Sequence, residues 1–196
     1  MRILIASANP HKIEEIRRML PLRFDIVSAA EFDIEFPPEV GTTFRENAVA
    51  KADFASSASG LPAIADDSGL VVPALGGAPG VRSARYAGVD ATDAENVSKL
   101  LLDLRHLSHS SRDAWFACVV ALVVPGHPTQ TVEGRIDGRI ADAPRGDNGF
   151  GYDPIFMLDD GRTFAELPAN EKDNISHRGE ALRNLADKLV DFQYPS

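Results

Sequence analysis

An apolar strand that feeds directly into a capped helix opens this chain, and that pairing restricts the fold more than any later segment. Arg2 to Ala6 is short, apolar and β-branched, and Ser7-Ala8-Asn9 follows as a polar loop. Asn9 is a strong N-cap residue, and Pro10 behind it suits the first helical position. Ile13, Ile16, Met19 and Leu20 then recur at helical spacing, with Glu14, Glu15, Arg17 and Arg18 turned outward. Phe24 to Val27 is a second strand. A strand, a loop, a helix and a strand in that order predict helices layered on a sheet, an α/β architecture.

The rest of the chain continues the alternation. Pro37 to Gly41 is a loop, and Thr43 to Glu46 has the spacing of a capping box. An alanine-rich helix runs on to about Ser59, where Gly60 is a C-terminal stop. Pro62 to Ala65 is a strand, and Leu70 to Val72 continues it past an acidic turn. Gly76 to Gly80 is a tight loop. Thr92 to Glu95 is a second capping box, and Val97, Leu100, Leu101 and Leu104 form the apolar stripe of its helix. His106 and His109 lie at or beyond the end of that helix, as surface residues or as a pair of ligands. Trp115 to Val124 and Gln130 to Ile140 flank Pro125-Gly126-His127-Pro128 and predict a long hairpin, with His127 a turn residue. Pro154 to Leu158 is a further strand. The last helix begins near Ser176 and buries Ala181, Leu182, Leu185, Leu189 and Val190. No repeat or low-complexity linker divides the chain, so 1–196 is expected to be one domain.

Composition narrows the function classes. With 196 residues, 44% hydrophobic and 25% charged, the chain has the make-up of an ordinary globular domain with a substantial core. Its formal charge of -9 is a poor match for a nucleic-acid backbone, which is bound through many Lys and Arg contacts to phosphate. A small polyanion remains a fitting partner wherever cations converge locally. The one cysteine, Cys118, lies in an apolar run and rules out an internal disulfide, which suits a reducing compartment. The start Met1 to Ala6 is too short for a signal peptide's apolar core, and no apolar run approaches the ~20 residues of a membrane helix. A soluble, cytoplasmic protein with no nucleic-acid or membrane partner is expected.

Four segments carry candidate chemistry. In Ser7-Ala8-Asn9-Pro10-His11-Lys12 a strand ends at a helix start, which points backbone N–H groups at an anion and adds the charge of Lys12. Glu39 and Gly41 precede a helix carrying Glu46, Asn47 and Lys51; the capping box accounts for Glu46 and a solvated face for Lys51. In Asp66-Asp67-Ser68-Gly69 two carboxylates follow an apolar run. They read either as an Asx-type turn leaving a strand or as a Mg²⁺ site, since that ion takes hard oxygen ligands and shares carboxylates with substrate phosphates. The last segment is Pro144 to Pro154 with Lys172 and Ser176-His177-Arg178. Its glycines permit close backbone approach to a ligand, and Phe150 and Tyr152 either stack on a base or plug the core. Two cationic residues in the first turn of a helix oppose its macrodipole, so His177 and Arg178 suggest an electron-rich partner.

Taken together, six motifs in order resemble the Ham1 family of inosine/xanthosine triphosphate pyrophosphatases. They are Ser7 to Lys12; Glu39 to Ala48 with Lys51-Ala52; Ala65 to Leu70; Pro79 to Tyr86; Gly149 to Phe156; and Ile175 to Arg178. The resemblance spans essentially the whole chain. It implies a two-lobed α/β fold around a long curved mixed β-sheet with flanking helices, an active site in the cleft between the lobes, and a homodimer. It implies hydrolysis of ITP, dITP or XTP to the monophosphate and pyrophosphate, which cleanses the nucleotide pool. On this resemblance Ser7, Ala8, Asn9, Pro10, His11 and Lys12 hold the triphosphate, while Glu39 and Asp67 organise Mg²⁺. Asp67 is the general base, Asp66 supports the turn that carries it and Ser68 touches substrate. Phe150, Gly151, Tyr152, Asp153, Lys172, His177 and Arg178 form the base pocket. One departure is visible: many members have Lys-Asn before Ile-Ser-His-Arg, where this chain has Lys172-Asp173-Asn174.

The implied selectivity rests on the purine 6-position. Donors from His177 and Arg178 would pair with a 6-carbonyl and be left unmatched by the amino group of adenine, a mismatch that discriminates strongly. The alternatives are a pyrophosphatase for modified pyrimidine or standard nucleotides, and a catalytically silent nucleotide-binding regulator.

Overall fold

A computed structural model describes residues 2–106, 108 and 111–189, except for the side chains of 187 and 189. His109, Val190 and the side chain of Leu189, all placed from the sequence, lie outside that description. The elements are β1 (Arg2–Ile5), α1 (Pro10–Met19), β2 (Asp25–Ser28), α2 (Phe44–Ser59), β3 (Ala63–Val71), α3 (Asp93–Leu104), β4 (Asp113–Val123), β5 (Gln130–Ile140), β6 (Phe156–Met157), α4 (Ala169–Ile175) and α5 (His177–Leu189), with short 3₁₀ turns between them. The strands form one mixed sheet in the order β2-β1-β3-β4-β5-β6. Strand β1 runs parallel to β2 and β3, and β6 runs antiparallel to β5. The expected mixed α/β sheet with flanking helices is present.

The chain forms two compact units. One holds Met1–Asp67, Cys118–Gly134 and His177–Ser196; the other holds Ser68–Ala117 and Arg135–Ser176. Neither is a single stretch of sequence, and β3, β4 and β5 each contribute to both.

In the first unit both faces of the sheet are covered, which explains why β1 after Arg2 and the start of β3 are apolar. Successive strand residues point to opposite faces. Ile3, Ile5 and Ile64 accordingly pack with Ile16 of α1, with Leu20 at that helix's C-cap and with Ala181, Leu182 and Leu185 of α5. Leu4, Ala6, Ala63 and Ala65 pack with Ala48, Ala52 and Ala55 of α2. The caps form as their residues predict. Asn9 accepts from His11 and Lys12 N–H, Thr43 and Glu46 make a full capping box, and Gly60 ends α2 in the left-handed region at φ 72°.

In the second unit Val97, Leu100 and Leu104 of α3 pack against Leu70, Val72, Phe116, Phe156 and Phe164. Phe116, Phe156 and Phe164 form a ring cluster with centroids 4.6–5.9 Å apart.

Four local readings are corrected. The acidic segment is not a turn: Asp66, Asp67, Ser68 and Gly69 all lie inside the continuous strand β3. Pro154 to Leu158 is mostly not strand, because a 3₁₀ turn at Asp153–Ile155 leaves only Phe156–Met157 in the sheet. A separate helix, α4, precedes α5, and Ser176 ends it in extended conformation before α5 begins at His177. Glu15, expected to face outward, is buried.

Candidate active site

Two adjacent aspartates are tolerated inside β3 because the strand's two-residue period sends them to opposite faces. Asp66 follows Ile64 toward α1 and α5, and Asp67 follows Ala65 toward α2. Their partners divide accordingly. Asp66 meets Lys12 of α1 and Arg178 of α5, while Asp67 meets Asn47 and Lys51 of α2.

Asp66 has no exposed side-chain surface. Its Oδ2 accepts from Arg178 Nε at 3.2 Å and Nη2 at 3.0 Å, and lies 3.1 Å from Lys12 Nζ. Arg178 Nη1 donates to Glu15 Oε2 in the same buried cluster. Burial alone would raise the Asp66 carboxyl, but Lys12, Arg178 and Lys51 prevail and hold it far below the usual carboxylate range. The guanidinium of Arg178 is held charged by Asp66 and Glu15 against its own burial. Cys118, on the neighbouring strand β4, is pushed up to about 12 by burial and by the charge of Asp66, so it stays a neutral thiol.

Asp67 sits in a different field. Asn47 Nδ2 donates to its Oδ2 at 2.9 Å, and Lys51 Nζ lies 3.9 Å from its Oδ1. Lys51 also donates to Glu39 Oε1 at 2.7 Å, so the two carboxylates expected to share a cation flank one ammonium. Burial is the largest influence on Asp67 and, with Glu39, pushes its carboxyl above the usual value despite Lys51 and Lys12. Burial works to lower the Lys51 ammonium, but Asp66, Asp67 and Glu39 hold it above its ordinary value.

Among the described residues no group of three or more His, Cys, Asp or Glu is placed to hold a metal. Glu39 and Asp67 instead offer two hard oxygen donors on one side of the unit. That set fits Mg²⁺ held jointly by one or two carboxylates, water and substrate phosphate, and does not fit a closed protein cage.

The loop before α1 is partly committed. Ser7 Oγ accepts from Asn9 N–H at 3.2 Å, and Asn9 Oδ1 accepts from His11 N–H at 2.9 Å and Lys12 N–H at 3.3 Å. The cap therefore takes two of the donors that the sequence offers to an anion. Ala8, Pro10 and His11 are exposed, and Ser7 is buried.

The remaining candidates lie mostly in the second unit. Asp153 Oδ2 accepts from Lys172 Nζ at 2.5 Å and from Phe150 N–H at 2.9 Å, with both charged side chains buried. Lys172 Nζ lies 4.9 Å from the centre of the Phe150 ring, which is half-buried. Gly149 makes this possible: at φ +75° it takes a conformation other residues resist, and a Cβ there would collide with Asp153 Oδ2. Gly151 N–H donates to Asp93 at 2.7 Å. Ser68 is half-buried on β3, and Asp173 beside Lys172 is buried.

Three of the residues expected to form a base pocket have partners within the chain. Tyr152 is a core residue whose hydroxyl donates to Ser83 O at 2.9 Å. Asp153 is occupied in holding Lys172 and Phe150. Arg178 gives all three guanidinium nitrogens to Asp66 and Glu15. His177 is buried at the first residue of α5. The start of that helix rests on β5, because a Cβ at Gly134 would collide with His177 O and lie 2.6 Å from Ala181 N.

Sequence reasoning missed Glu15; it named Asn47 without a role and read Lys51 as part of a solvated face, whereas Lys51 is largely buried between Glu39 and Asp67. Glu15 had a signal, since it stands one turn after Lys12 and one before Met19, at the margin of the buried stripe. Asn47 and Lys51 stand one turn apart on α2, yet nothing local distinguishes them from a solvated pair.

A mixed α/β sheet with two aspartates on opposite faces of one strand is the setting of the candidate site. The Ham1 family model matches residues 3–188, and the chain belongs to the Ham1 family. It is 47% identical to the dITP/XTP pyrophosphatase of Thermus thermophilus over 197 residues, which cover 100% of this chain and 95% of the relative. The dITP/XTP pyrophosphatase of Geobacillus kaustophilus is 50% identical over 189 residues, covering 95% and 93%. A solved Ham1 protein from Coxiella burnetii superposes with a TM-score of 0.89 at 46% identity, over 97% of this chain and 99% of the other.

Proposed function

We propose that this chain is a nucleoside triphosphate pyrophosphatase that hydrolyses dITP, ITP and XTP to the nucleoside monophosphate and pyrophosphate. The observation that carries the reading is Asp67, a buried carboxylate with one oxygen held by Asn47 and the other on the side of Lys51 and Glu39. Similarity over essentially the full length to dITP/XTP pyrophosphatases supports the same reading. One family model spanning residues 3–188 supports treating the two units as a single functional domain.

In this reading a water oxygen attacks the α-phosphorus in line with the bond to the β-phosphate. The bridging oxygen leaves with pyrophosphate, and the proton of the water passes to Asp67. Its raised carboxyl suits a proton acceptor, a role typically worth about 10²–10⁴-fold. Mg²⁺, when bound by Glu39 and Asp67, supplies charge neutralisation on the phosphates. Ser7 to Lys12 receives the triphosphate, with Lys12 as the fixed cation of that segment. Arg178 and Glu15 hold Asp66, and Asp66 in turn fixes Lys12. Ser68 contacts substrate next to Asp67.

For the base, Phe150 offers a stacking face backed by the Lys172 ammonium. His177 is the donor for the 6-carbonyl, which adenine lacks. The family resemblance implies that the protein works as a homodimer, and a cytoplasmic location completes this reading.

Pyrophosphate release from a panel of triphosphates, with and without Mg²⁺, tests this function. Release from dITP and XTP that needs Mg²⁺ and disappears in Asp67→Asn supports it. Near-normal release by Asp67→Asn removes Asp67 from its role.

A further inference from the structure

Asn47 is 2% exposed in the first turn of α2. It is not needed to cap that helix, because Thr43 and Glu46 already make the capping box. Its side chain instead joins two segments distant in sequence. Oδ1 accepts the N–H of Gly41 at 2.9 Å, and Nδ2 donates to Asp67 Oδ2 at 2.9 Å. Chemistry dictates this orientation of the amide, since a backbone N–H only donates and an ionised carboxylate only accepts. Gly41 stands two residues after Glu39, and a Cβ at position 41 would collide with Asn47 Oδ1. The glycine is therefore what lets the loop reach the amide. One turn along the same helix face, Lys51 takes Glu39 Oε1 at 2.7 Å and lies 3.9 Å from Asp67 Oδ1. Asn47 and Lys51 together sort the carboxylate oxygens of Asp67 and Glu39 by position.

We infer that Asn47 is a positioning residue of the reaction: its amide ties the Glu39 loop to Asp67 and turns Asp67 Oδ1, rather than Oδ2, toward the attacking water. The inference rests on the proposed role of Asp67. A carboxylate free to rotate about χ2 would present either oxygen, and small losses of alignment at a reacting centre are costly. An amide donor on one oxygen removes that freedom, and the bond to Gly41 keeps the amide from turning over.

Asn47→Ala and Asn47→Asp separate the two bonds, with Asp67→Asn as the reference. Alanine removes both. Aspartate keeps an acceptor for Gly41 N–H and replaces the donor to Asp67 with a carboxylate that repels it. The expected result with dITP is a fall in kcat of about 10- to 100-fold in both variants, the usual range for groups that orient a reacting ligand. KM is expected to change by less than about threefold, as when an interaction made in the transition state is lost. Amide hydrogen exchange at Gly41 accelerates in Asn47→Ala and stays slow in Asn47→Asp. A merely structural role would lower the melting temperature of both and leave kcat per folded enzyme unchanged, which overturns the inference. If Asn47→Ala fails to fold, wild-type kcat in Asn47→Asp overturns it equally. Turnover by Asp67→Asn removes the reading of Asp67 and this inference with it; an inactive Asp67→Asn beside a fully active Asn47→Asp removes the inference alone.

Discussion

Arg178 grips a single oxygen of Asp66 with two nitrogens, Nε at 3.2 Å and Nη2 at 3.0 Å, where neither side chain meets water. The residues are 112 positions apart, and buried Glu15 with half-buried Lys12 completes a set of two cations and two anions. Such a set is weak evidence for stability in itself, because desolvation offsets much of the attraction. Its consequence is geometric: α1, β3 and α5 are registered at the level of the two aspartates.

Removing one member leaves the others charged and buried. Arg178→Met is expected to destabilise the fold by about 3–5 kcal/mol, the range for breaking one side of a buried pair. Arg178→Lys keeps the charge but not the planar fork, and recovers only part of the loss. Urea unfolding of the three proteins measures this.

The two aspartates have opposite linkage to pH. The folded Asp66 carboxyl lies below the unfolded value of about 3.9, so its stabilisation is complete above that value and is lost as pH falls toward the folded one. Asp66→Asn is expected to flatten the acid limb of the stability profile below about pH 5. Asp67 is raised, so the folded state prefers its protonated form, and stability from that preference is lost as pH rises through its folded value. Asp67→Asn is therefore expected to raise the melting temperature at neutral pH while abolishing turnover, with Lys51 still paired to Glu39. A lower melting temperature would count against the direction assigned to Asp67.

Gly134 is expected to tolerate no side chain. The Cβ of Gly134→Ala would strike the backbone of His177 and come within 2.6 Å of Ala181 N, so α5 must move off β5. Overpacking of this kind costs about 1–3 kcal/mol, and kcat is expected to fall further than stability explains because His177 and Arg178 start that helix. Thermal unfolding and turnover on one preparation separate the two effects.

Local signals carried much of the fold. Asn9-Pro10, Thr43 with Glu46, Thr92 with Glu95, and Gly60 each mark a helix boundary through chemistry contained in a few residues, and each boundary holds. The hairpin around Pro125 to Pro128 is legible for the same reason. Asp66 and Asp67 were identified as candidates, but their strand was not. A strand carrying two charges resembles a turn until the cations on each face are known, and Lys12, Lys51 and Arg178 come from three separate helices. Glu15 and Arg178 are 163 positions apart, and the bond from Asn47 to Asp67 spans 20, so neither leaves a periodic trace. Tyr152 shows the converse, since a glycine-bounded aromatic suggests a ligand equally well when it fills a core.

Lys172 and Asp153 form the buried pair of the second unit, with Phe150 resting on both. Lys172→Met strands the Asp153 carboxylate and is expected to lower stability by about 3–5 kcal/mol. Adding Asp153→Asn restores most of it, because the amide oxygen still accepts Phe150 N–H and neither member of the pair leaves a buried charge. KM for dITP is expected to stay about tenfold high in the double variant, a loss of about 1.4 kcal/mol in nucleotide binding. Full recovery of KM would show that Lys172 matters only for folding.

The most direct test of the proposed function is ³¹P NMR of the products from dITP, XTP, dGTP and dATP at equal Mg²⁺, with kcat/KM taken from the same reactions. The expected result is monophosphate and pyrophosphate from dITP and XTP, with dATP poorer by about 10⁴-fold, the scale of discrimination when a site's polar groups are left unmatched. Equal kcat/KM across the four, or release of single phosphate instead of pyrophosphate, would contradict it.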